Sequence, residues 1–566
     1  MMFKLCFIKN IPFGGRRLTI YDFIKYLIMK KISLLLCLLL TTVAFSQEDA
    51  WVYFTAKNNS QLYYDSPLKM LSQRALDRRT NQNIALDSKD IPINSSYIKQ
   101  VTAVPGITVM AKSKWLNAIH VRGTQAAINS IKTYSFISKV DFANKSLNQG
   151  GVVTSKSFKI NKQSKTKETK VNFFYGLSTN QIKMLNGDLL HQQDYTGSGK
   201  IIAILDGGFP GVNTAQPFQR LRDNNKILGG YDFVNRNTDF YSGSSHGTLV
   251  LSSMGGYKEF SLVGTAPDAA YYLFITEDVD SENPVEESLW VEAAEKADSL
   301  GVDIINTSLG YFGYDNPNYS HTYADMNGTT NFISRGADLA FSRGMVVVTS
   351  AGNEGSSSEP HIGAPADAVS VITVGAVDPV ETRTSFSSIG PSFDNRIKPD
   401  VMAQGSMVVL SDASGNIVTA NGTSFSSPIM AGMVACLWQA YPNKTNKEIR
   451  QLIIQSADRF ATPGNQYGYG IPDFNLALNN GLFVEDFSKS DFVAYPNPTT
   501  DLISYSFPDR FDKGTVVFYT TLGKKVLERS ISSTSRTFSL KSLSSGIYFY
   551  KIESGTFSKS GKIIKQ

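Results

Sequence analysis

The chain has only three cysteines among its 566 residues. Two of them, Cys6 and Cys37, lie in the first 46 residues, and Cys436 stands in an apolar stretch far along the chain. If the N-terminal segment is removed, the rest of the chain cannot form an internal disulfide, so its stability must come from its core. We therefore expect Cys436 to be a small buried apolar residue.

Long hydrophobic runs are also few, and one of them lies near the N-terminus. The stretch "MKKISLLLCLLLTTVAFSQ" starts at Met29 with two lysines, continues through apolar residues and closes on small residues. This pattern predicts a secretory signal peptide that is cleaved after Ser46, within an N-terminal extension of residues 1–46. We expect translation to begin at Met29. The alternative is a membrane anchor, but residues 32–45 are short for the roughly 20 residues that span a bilayer.

An excess of one charge sign is confined to separate parts of the chain. The formal net charge is +6, but residues 47–170 carry 19 basic and 8 acidic side chains (+11), and residues 171–486 carry 17 and 34 (−17). The remaining segments, 1–46 and 487–566, carry +6 each. The acidic central segment argues against nucleic acid as a partner. A basic segment beside an acidic one suggests that the two attract each other.

The length predicts two or three globular units. Residues 47–145 indicate a small α+β unit, with "GITVMAKSKW" and "AIHVRG" as paired strands, "TQAAINSIKTY" as a helix and "ISKVDFA" as a returning strand. Residues 146–170 are polar and rich in Lys, Ser and Gln, which is typical of an exposed, protease-sensitive linker.

The central segment, residues 171–486, alternates strand and helix patterns. "KIIAILD" is a continuous apolar run, as in a strand buried on both faces, and "PVEESLWVEAAEKADSLG" is an amphipathic helix that we expect to end at Gly301. Further helix and strand patterns follow, which predicts an α/β fold with a parallel sheet and helices on both faces. After about residue 487, short alternating strands broken by Pro, Gly and Asn predict a β-sandwich at residues 487–566.

Three residues with catalytic side chains stand at predicted element boundaries. Asp206 closes the "KIIAILD" strand, His246 in "SSHGTLV" begins a helix that Ser244 or Ser245 would cap, and Ser424 in "NGTSFSSP" precedes an apolar helix. Taken singly, the first is more often a turn residue, the second a packed core histidine and the third a helix cap.

Together the three residues are the set that catalysis by a serine nucleophile requires. A serine hydroxyl is a poor nucleophile until an imidazole takes its proton, and a carboxylate fixes the tautomer of that imidazole. Asn353 in "TSAGNEG" could donate to an oxyanion beside the backbone N–H of Ser424, although an Asn after Gly is usually only a turn residue. We expect Pro428 to lie in the first turn of the Ser424 helix.

Six motifs, "AILDGG", "SHGTLV", "NTSLG", "TSAGNEG", "IKPDVMAQG" and "NGTSFSSPIMAG", resemble those of the subtilisin-like serine proteases, or subtilases. The order Asp, His, Ser is also the one found in subtilisin. The resemblance implies a subtilisin-like fold and a secreted serine endopeptidase. It further implies that Asp206 orients the imidazole, His246 is the general base, Ser424 the nucleophile and Asn353 the oxyanion donor.

The resemblance also implies where a peptide substrate binds. Two segments match those that line the substrate cleft in the family and pair with an extended peptide: Ser308, Leu309, Gly310, and Ser350, Ala351, Gly352. Their alternative is ordinary strand and loop backbone. Three positions depart from the family pattern, Gly207 after Asp206, Leu249 in the His motif and Ser426 where Ala is usual, and none of them removes a reacting group.

The flanking units resemble parts of secreted subtilases. Residues 47–145 resemble a propeptide, which would assist folding of the catalytic domain and then block its cleft. The alternative is an accessory domain with a solvated basic face. Residues 487–566 resemble the sorting domains that direct cargo through the type IX secretion system of Bacteroidetes-like bacteria, and the alternative is a carbohydrate-binding or spacer sandwich. The expected partners are therefore a protein substrate, the chain's own propeptide and the secretion machinery, with export across both membranes.

Catalysis by a serine nucleophile needs no cofactor, and no metal site is expected. Structural calcium is common in the family, but no stretch of this chain has a calcium-loop spacing. Two other functions stay open at this point: a non-catalytic surface binding protein on a subtilase scaffold, and a hydrolase of esters or amides other than proteins.

Overall fold

The structure is a computed structural model. It describes Met29 and residues 47–58, 60–148, 173–483, 493–495, 499–506, 513–532, 537–554 and 557–566. The predicted signal peptide, apart from Met29, and the predicted linker, apart from residues 146–148, lie outside the described residues. Of the helices described, none is long and apolar enough to cross a membrane.

The N-terminal unit, residues 47–148, is built on a four-stranded antiparallel sheet. Its strands are β1 (Gln47–Phe54), β2 (Ile107–Ser113), β3 (Ala118–Thr124) and β4 (Ile137–Phe142), in the order β2-β3-β1-β4. Its helices are α1 (Ser60–Tyr64), α2 (Gln73–Asn81), α3 (Ser95–Thr102) and α4 (Gln125–Ser130). The predicted pairing of the "GITVMAKSKW" and "AIHVRG" strands, the helix after them and the returning strand are confirmed. The unit continues to Asn148, whose side-chain amide bonds the backbone N–H and C=O of Phe142.

The central unit, residues 173–483, is built on a seven-stranded sheet with every neighbouring pair parallel. Its strands are β5 (Ile201–Asp206), β6 (Ile227–Asp232), β9 (Ala270–Ile275), β10 (Ile304–Thr307), β11 (Val346–Ser350), β12 (Ile372–Val377) and β13 (Val401–Gln404). Across the sheet they lie in the order β13-β12-β11-β10-β5-β9-β6. Two small hairpins accompany the sheet, β7 (Tyr257–Lys258) with β8 (Leu262–Val263) and β14 (Val408–Ser411) with β15 (Ile417–Ala420).

Helices cover both faces of this sheet. The helices are α5 (Thr179–Lys183), α6 (Gly187–His191), α7 (Gln219–Asp223), α8 (His246–Gly255), α9 (Val285–Leu300), α10 (Phe332–Ser342), α11 (Thr423–Ala440), α12 (Asn446–Ser456) and α13 (Phe474–Phe483). Short 3₁₀ turns lie at Pro67–Lys69, Ile131–Thr133, Lys145–Leu147, Gly176–Ser178, Gln216–Phe218 and Tyr323–Asp325.

Alternate residues of β5 enter two separate apolar cores. Ile202 and Ile204 pack with α8 and α11, while Ala203 and Leu205 pack with α9 and α10. Because successive side chains of a strand point to opposite faces, this division confirms the predicted sheet with helices on both faces. Helix α9 ends at Gly301 in a left-handed conformation with φ of +83°, as the sequence predicts.

The helix that carries Ser424 begins earlier than expected. Helix α11 starts at Thr423, so Pro428 lies in its second turn and the expectation of a first-turn proline is wrong. Proline has no N–H to give to the carbonyl four residues back, which is that of Ser424. The hydroxyl of Ser308 donates to this carbonyl at 2.9 Å and so replaces the missing helical bond.

The C-terminal unit consists of two antiparallel sheets. One contains β16 (Val493–Tyr495), β17 (Leu502–Ser506) and β20 (Thr537–Ser539). The other contains β18 (Lys513–Thr520), β19 (Lys525–Ser532), β21 (Gly546–Ser554) and β22 (Phe557–Lys565). One apolar cluster joins residues of both sheets, among them Ile503 and Phe518, as expected for a β-sandwich.

The sheet of the N-terminal unit packs against α9 and α10. Trp51 stacks on Phe332 with ring centroids 5.3 Å apart, and its indole N–H donates to Ser288 at 2.8 Å. Glu295 accepts from the hydroxyl of Ser113 at 2.6 Å and from the backbone N–H of Trp115 at 2.9 Å. Burial raises the pKa of Glu295 to about 7.

Candidate functional site

Asp206 and His246 meet at the carboxyl edge of the parallel sheet. Asp206 is the last residue of β5, and His246 is the first of α8. Imidazole Nδ1 lies 2.8 Å and 3.0 Å from the two carboxylate oxygens of the buried Asp206. The carboxylate, opposed by burial, raises the pKa of His246. Of the two predicted helix caps, Ser244 accepts the backbone N–H of His246 at 3.2 Å, whereas Ser245 makes no side-chain cap bond.

Ser424 is the second residue of α11, and the residue after it, Phe425, lies beside His246. The ring of Phe425 has its centroid 5.9 Å from that of His246. The Ser424 hydroxyl donates to the backbone carbonyl of Ser308 at 3.0 Å. The helix-cap alternative for Ser424 is therefore wrong, because Gly422 occupies the N-cap position and the hydroxyl bonds outside the helix.

Asn353 holds its side-chain amide against the start of α11. Its Oδ1 accepts from the backbone N–H of Thr423 at 3.0 Å and from the Thr423 hydroxyl at 3.1 Å. A Cβ placed on Gly422 would lie 3.7 Å from the backbone nitrogen of Ser424 and 3.8 Å from Nδ2 of Asn353. Both nitrogens therefore lie within 4 Å of one point beside Gly422, and the amides of a helix's first turn have no partner within the helix.

A cleft of about 490 Å³ opens beside Ser424. Both segments that the sequence predicts as substrate-binding line it: Ser308, Leu309, Gly310, and Ser350, Ala351, Gly352. Asn353, Ser424 and larger side chains such as Tyr311, Glu354 and His361 also line it. Each segment follows a parallel strand of the central sheet, Ser308 after β10 and Ala351 after β11, at the same carboxyl edge as Asp206. The volume is within the range of small-ligand pockets.

Sequence reasoning missed one carboxylate beside Asp206. Glu277 accepts the Tyr311 hydroxyl on both oxygens, at 2.8 Å and 2.7 Å, and burial raises its pKa to about 8. A Cβ on Gly207 would lie 3.0 Å from Val279 and 3.7 Å from the Cβ of Glu277. The unusual glycine after Asp206 therefore leaves room for this loop, a relation between distant residues that no local pattern indicates.

Cys436 is fully buried, as expected of a small core residue. Its thiol also donates to the backbone carbonyl of Thr265 at 3.1 Å, and burial raises its pKa. No group of three or more His, Cys, Asp or Glu side chains within the described part of the chain is placed to hold a metal ion.

Comparison with protein-family models matches three parts of the chain. The model of the subtilase family (peptidase S8) matches residues 197–470. The peptidase S8 propeptide domain of Bacteroidota matches residues 49–166, and the secretion system C-terminal sorting domain matches residues 493–566.

Curated proteins are similar over the central half of the chain. Subtilisin NAT of Bacillus subtilis subsp. natto is 34% identical over 299 residues, which cover 52% of this chain and 68% of that protein. The subtilisin of Bacillus pumilus is 34% identical over 306 residues, 54% of this chain and 98% of that protein. The thermophilic serine proteinase of Bacillus sp. (strain AK1) is 31% identical over 275 residues, 48% of this chain and 60% of that protein.

Proposed function

The chain belongs to the subtilase family and is a serine-type endopeptidase, and from this premise we propose that Ser424 attacks the peptide carbonyl with His246 as general base and Asp206 as the orienting carboxylate. The observation that carries the proposal is the pair of contacts between both Asp206 oxygens and Nδ1 of His246. A proton held on Nδ1 leaves Nε2 as the acceptor for the hydroxyl proton.

The reaction begins with a change of partner by the Ser424 hydroxyl. In the structure this hydroxyl donates to Ser308, and rotation about its Cα–Cβ bond would turn it to Nε2 of His246. Catalytic hydrogen bonds often form only once substrate is bound. Oγ then attacks the carbonyl carbon, and the proton passes to Nε2.

The oxyanion is stabilised by Asn353 and the backbone N–H of Ser424. Both nitrogens lie within 4 Å of one point beside Gly422. Because Thr423 already donates to Oδ1 of Asn353, the position of Nδ2 is fixed. Donors fixed in advance stabilise charge that develops in the transition state. His246 then protonates the leaving amine, and an acyl-enzyme on Ser424 remains until water hydrolyses it.

The substrate is a peptide in extended conformation. Residues 308–310 and 350–352 present backbone on two sides of the cleft next to Ser424. An extended peptide pairs with such edges through its own backbone, so side chains of the substrate contribute selectivity rather than the bulk of binding. No cofactor is required for this chemistry.

The family matches define a secreted zymogen. The propeptide domain indicates a precursor, and the sorting domain indicates export to the cell surface or the medium. We place the propeptide at residues 47–145, the linker at 146–170, the catalytic domain at 171–486 and the sorting domain at 487–566. The chain's own propeptide and the type IX machinery are the partners that follow from this order.

The test compares casein hydrolysis by wild type, Ser424→Ala and a matched control, Ser426→Ala. Ser426 is two residues away on the same helix, is buried, and its hydroxyl donates to Thr423 rather than facing the cleft. We expect Ser424→Ala to be inactive and to keep its N-terminal unit covalently attached, while Ser426→Ala processes itself and cuts casein. Equal activity of wild type and Ser424→Ala would favour the non-catalytic binding protein, and cleavage of a small ester but not casein would favour another hydrolase.

A further inference from the structure

The N-terminal unit has a second contact with the central unit, apart from its sheet. Residues 72–90, which contain α2 and the loop after it, lie against the C-terminal ends of α9 and α10. Ser72 donates its backbone N–H to the carbonyl of Ser299 at 2.8 Å, and Arg74 donates to Gly301 at 2.9 Å. We call residues 72–90 the arginine segment.

Two adjacent arginines of this segment are buried at one carboxylate of the central unit, Asp298, and Arg79 also pairs with Asp90 of the segment itself at 2.9 Å. The side chains of Arg78 and Arg79 are 4% and 2% exposed, and that of Asp298 is fully buried. Arg79 lies 2.8 Å and 3.0 Å from the two oxygens of Asp298, and Arg78 also bonds Asp298 and the carbonyl of Val302. The guanidinium groups hold the pKa of Asp298 below its usual range against the effect of burial.

The central unit by itself does not explain why a carboxylate is buried at position 298. It lies in the last turn of α9, where the helix dipole disfavours a negative charge. Among the described residues, the side-chain hydrogen bonds that the Asp298 carboxylate accepts come from Arg78 and Arg79. A buried carboxylate without a partner is strongly destabilising, so this end of α9 is shaped for a partner that carries two arginines.

Shape complementarity accompanies the charge. A Cβ on Gly301, at the end of α9, would lie 2.7 Å from Cγ of Arg74, and one on Gly344, after α10, would lie 2.9 Å from Nε2 of Gln82. Gln82 donates to the carbonyl of Gly344 at 2.8 Å and accepts the backbone N–H of Asn446, the first residue of α12, at 2.9 Å. The arginine segment thus joins the ends of three helices of the central unit.

From this contact we infer that the arginine segment is a second docking element of the propeptide, separate from its sheet and from the cleft, and that it governs how slowly the cut propeptide leaves. The inference rests on the assignment of the N-terminal unit as a propeptide. Two contacts within one unit hold it more strongly than either alone, because once one is formed the other is intramolecular. Burial also shields the arginine pair from salt, unlike exposed pairs such as Lys145 with Asp325.

The experiment uses the full chain with Ser424→Ala, so that the readout does not depend on its own activity. Trypsin nicks the lysine-rich linker, and gel filtration in 0.15 M and 1 M NaCl measures how fast the N-terminal fragment leaves. The test variant adds Arg78→Ala and Arg79→Ala. The matched control adds Lys69→Ala and Lys99→Ala, which removes the same two charges at exposed positions of the same unit.

We expect the fragment of the parent and the control to stay bound in both salts, and that of the arginine variant to leave about 100-fold faster. If the arginine variant does not fold, Asp298→Asn, which changes only the central unit, is expected to give the same acceleration. Equal dissociation rates for the arginine variant, or for Asp298→Asn, and the control would overturn the inference. So would immediate loss of the parent's fragment on nicking. Neither result bears on whether Ser424 is the nucleophile, because every chain compared lacks it.

Discussion

The two proposals give two surfaces of the central unit opposite ways of binding a peptide chain. The cleft beside Ser424 is lined partly by small residues such as Gly310 and Gly352, and partly by larger side chains such as Tyr311, Glu354 and His361. The surface at the end of α9 presents the buried carboxylate of Asp298 to two arginines. Exposed backbone can pair with many different peptides, whereas a buried charge binds only a partner that neutralises it. On this account, substrate is turned over in the cleft, and the propeptide is retained at the end of α9.

The largest expected effect is that of Asp206→Asn. An asparagine keeps the shape but holds the wrong imidazole tautomer, so kcat for a peptide substrate should fall about 10⁴-fold with KM little changed. Dissociation of the nicked N-terminal fragment, measured in a Ser424→Ala background, should not change. Asp206 lies at the carboxyl edge of the sheet, whereas the arginine segment contacts the C-terminal ends of α9 and α10. A loss of propeptide binding in step with activity would break the separation of the two surfaces.

Asn353→Ala tests the oxyanion donor. We expect kcat to fall by about 10² to 10³ with a nearly unchanged KM, because the donor acts in the transition state. Asn353→Asp keeps the oxygen that accepts from Thr423 but replaces the donor by a negative charge that repels the oxyanion, so it should be at least as slow. A raised KM at constant kcat would instead assign Asn353 to ground-state binding of substrate.

The pH dependence of kcat/KM tests the charge beside the imidazole. Only neutral His246 can accept a proton, and Asp206 raises its pKa. The acid limb should therefore lie above the ordinary histidine pKa of about 6.5, with about a tenfold loss for each pH unit below it. In Asp206→Asn the residual activity should have its limb at lower pH. An unchanged limb in that variant would contradict the assignment of Asp206 as the cause.

The smallest effect concerns the link between the cleft wall and α11. Ser308→Ala removes the donor to the Ser424 carbonyl that Pro428 leaves open, and should lower the free energy of unfolding by about 1 kcal/mol. With Pro428→Ala in place, residue 428 has an N–H for that carbonyl, so Ser308→Ala should cost less. Additive losses in a double-mutant cycle from thermal melts would show that the two groups do not share this carbonyl.

The candidate catalytic residues could be picked out from the sequence because their signals are local and come in a fixed order. Asp206, His246 and Ser424 each end or begin an element, and the apolar pattern of β5 already predicts a strand buried on both faces. The strand and helix order of the central unit followed from the same periodicities. Both segments predicted to bind substrate line the cleft, and their role in binding stays a prediction.

What could not be predicted depends on contacts between distant residues. Arg78 and Arg79 contribute to the segment charge of +11, but nothing local shows that they are buried on a carboxylate 219 or more positions away. The early start of α11 also has a distant cause, because a proline is tolerated in its second turn where Ser308 supplies the missing bond. The opposite net charges of residues 47–170 and 171–486 predicted that the two units attract each other, but not which residues make the contact.

The most direct test of the central claim is to map the adduct of a serine-directed fluorophosphonate on the active protein by mass spectrometry of its peptides. We predict one adduct, on Ser424, formed in proportion to the loss of casein hydrolysis and absent when His246 is replaced by Ala. An adduct on Ser426 or Ser427 instead, or full casein hydrolysis with Ser424 modified, would contradict the account.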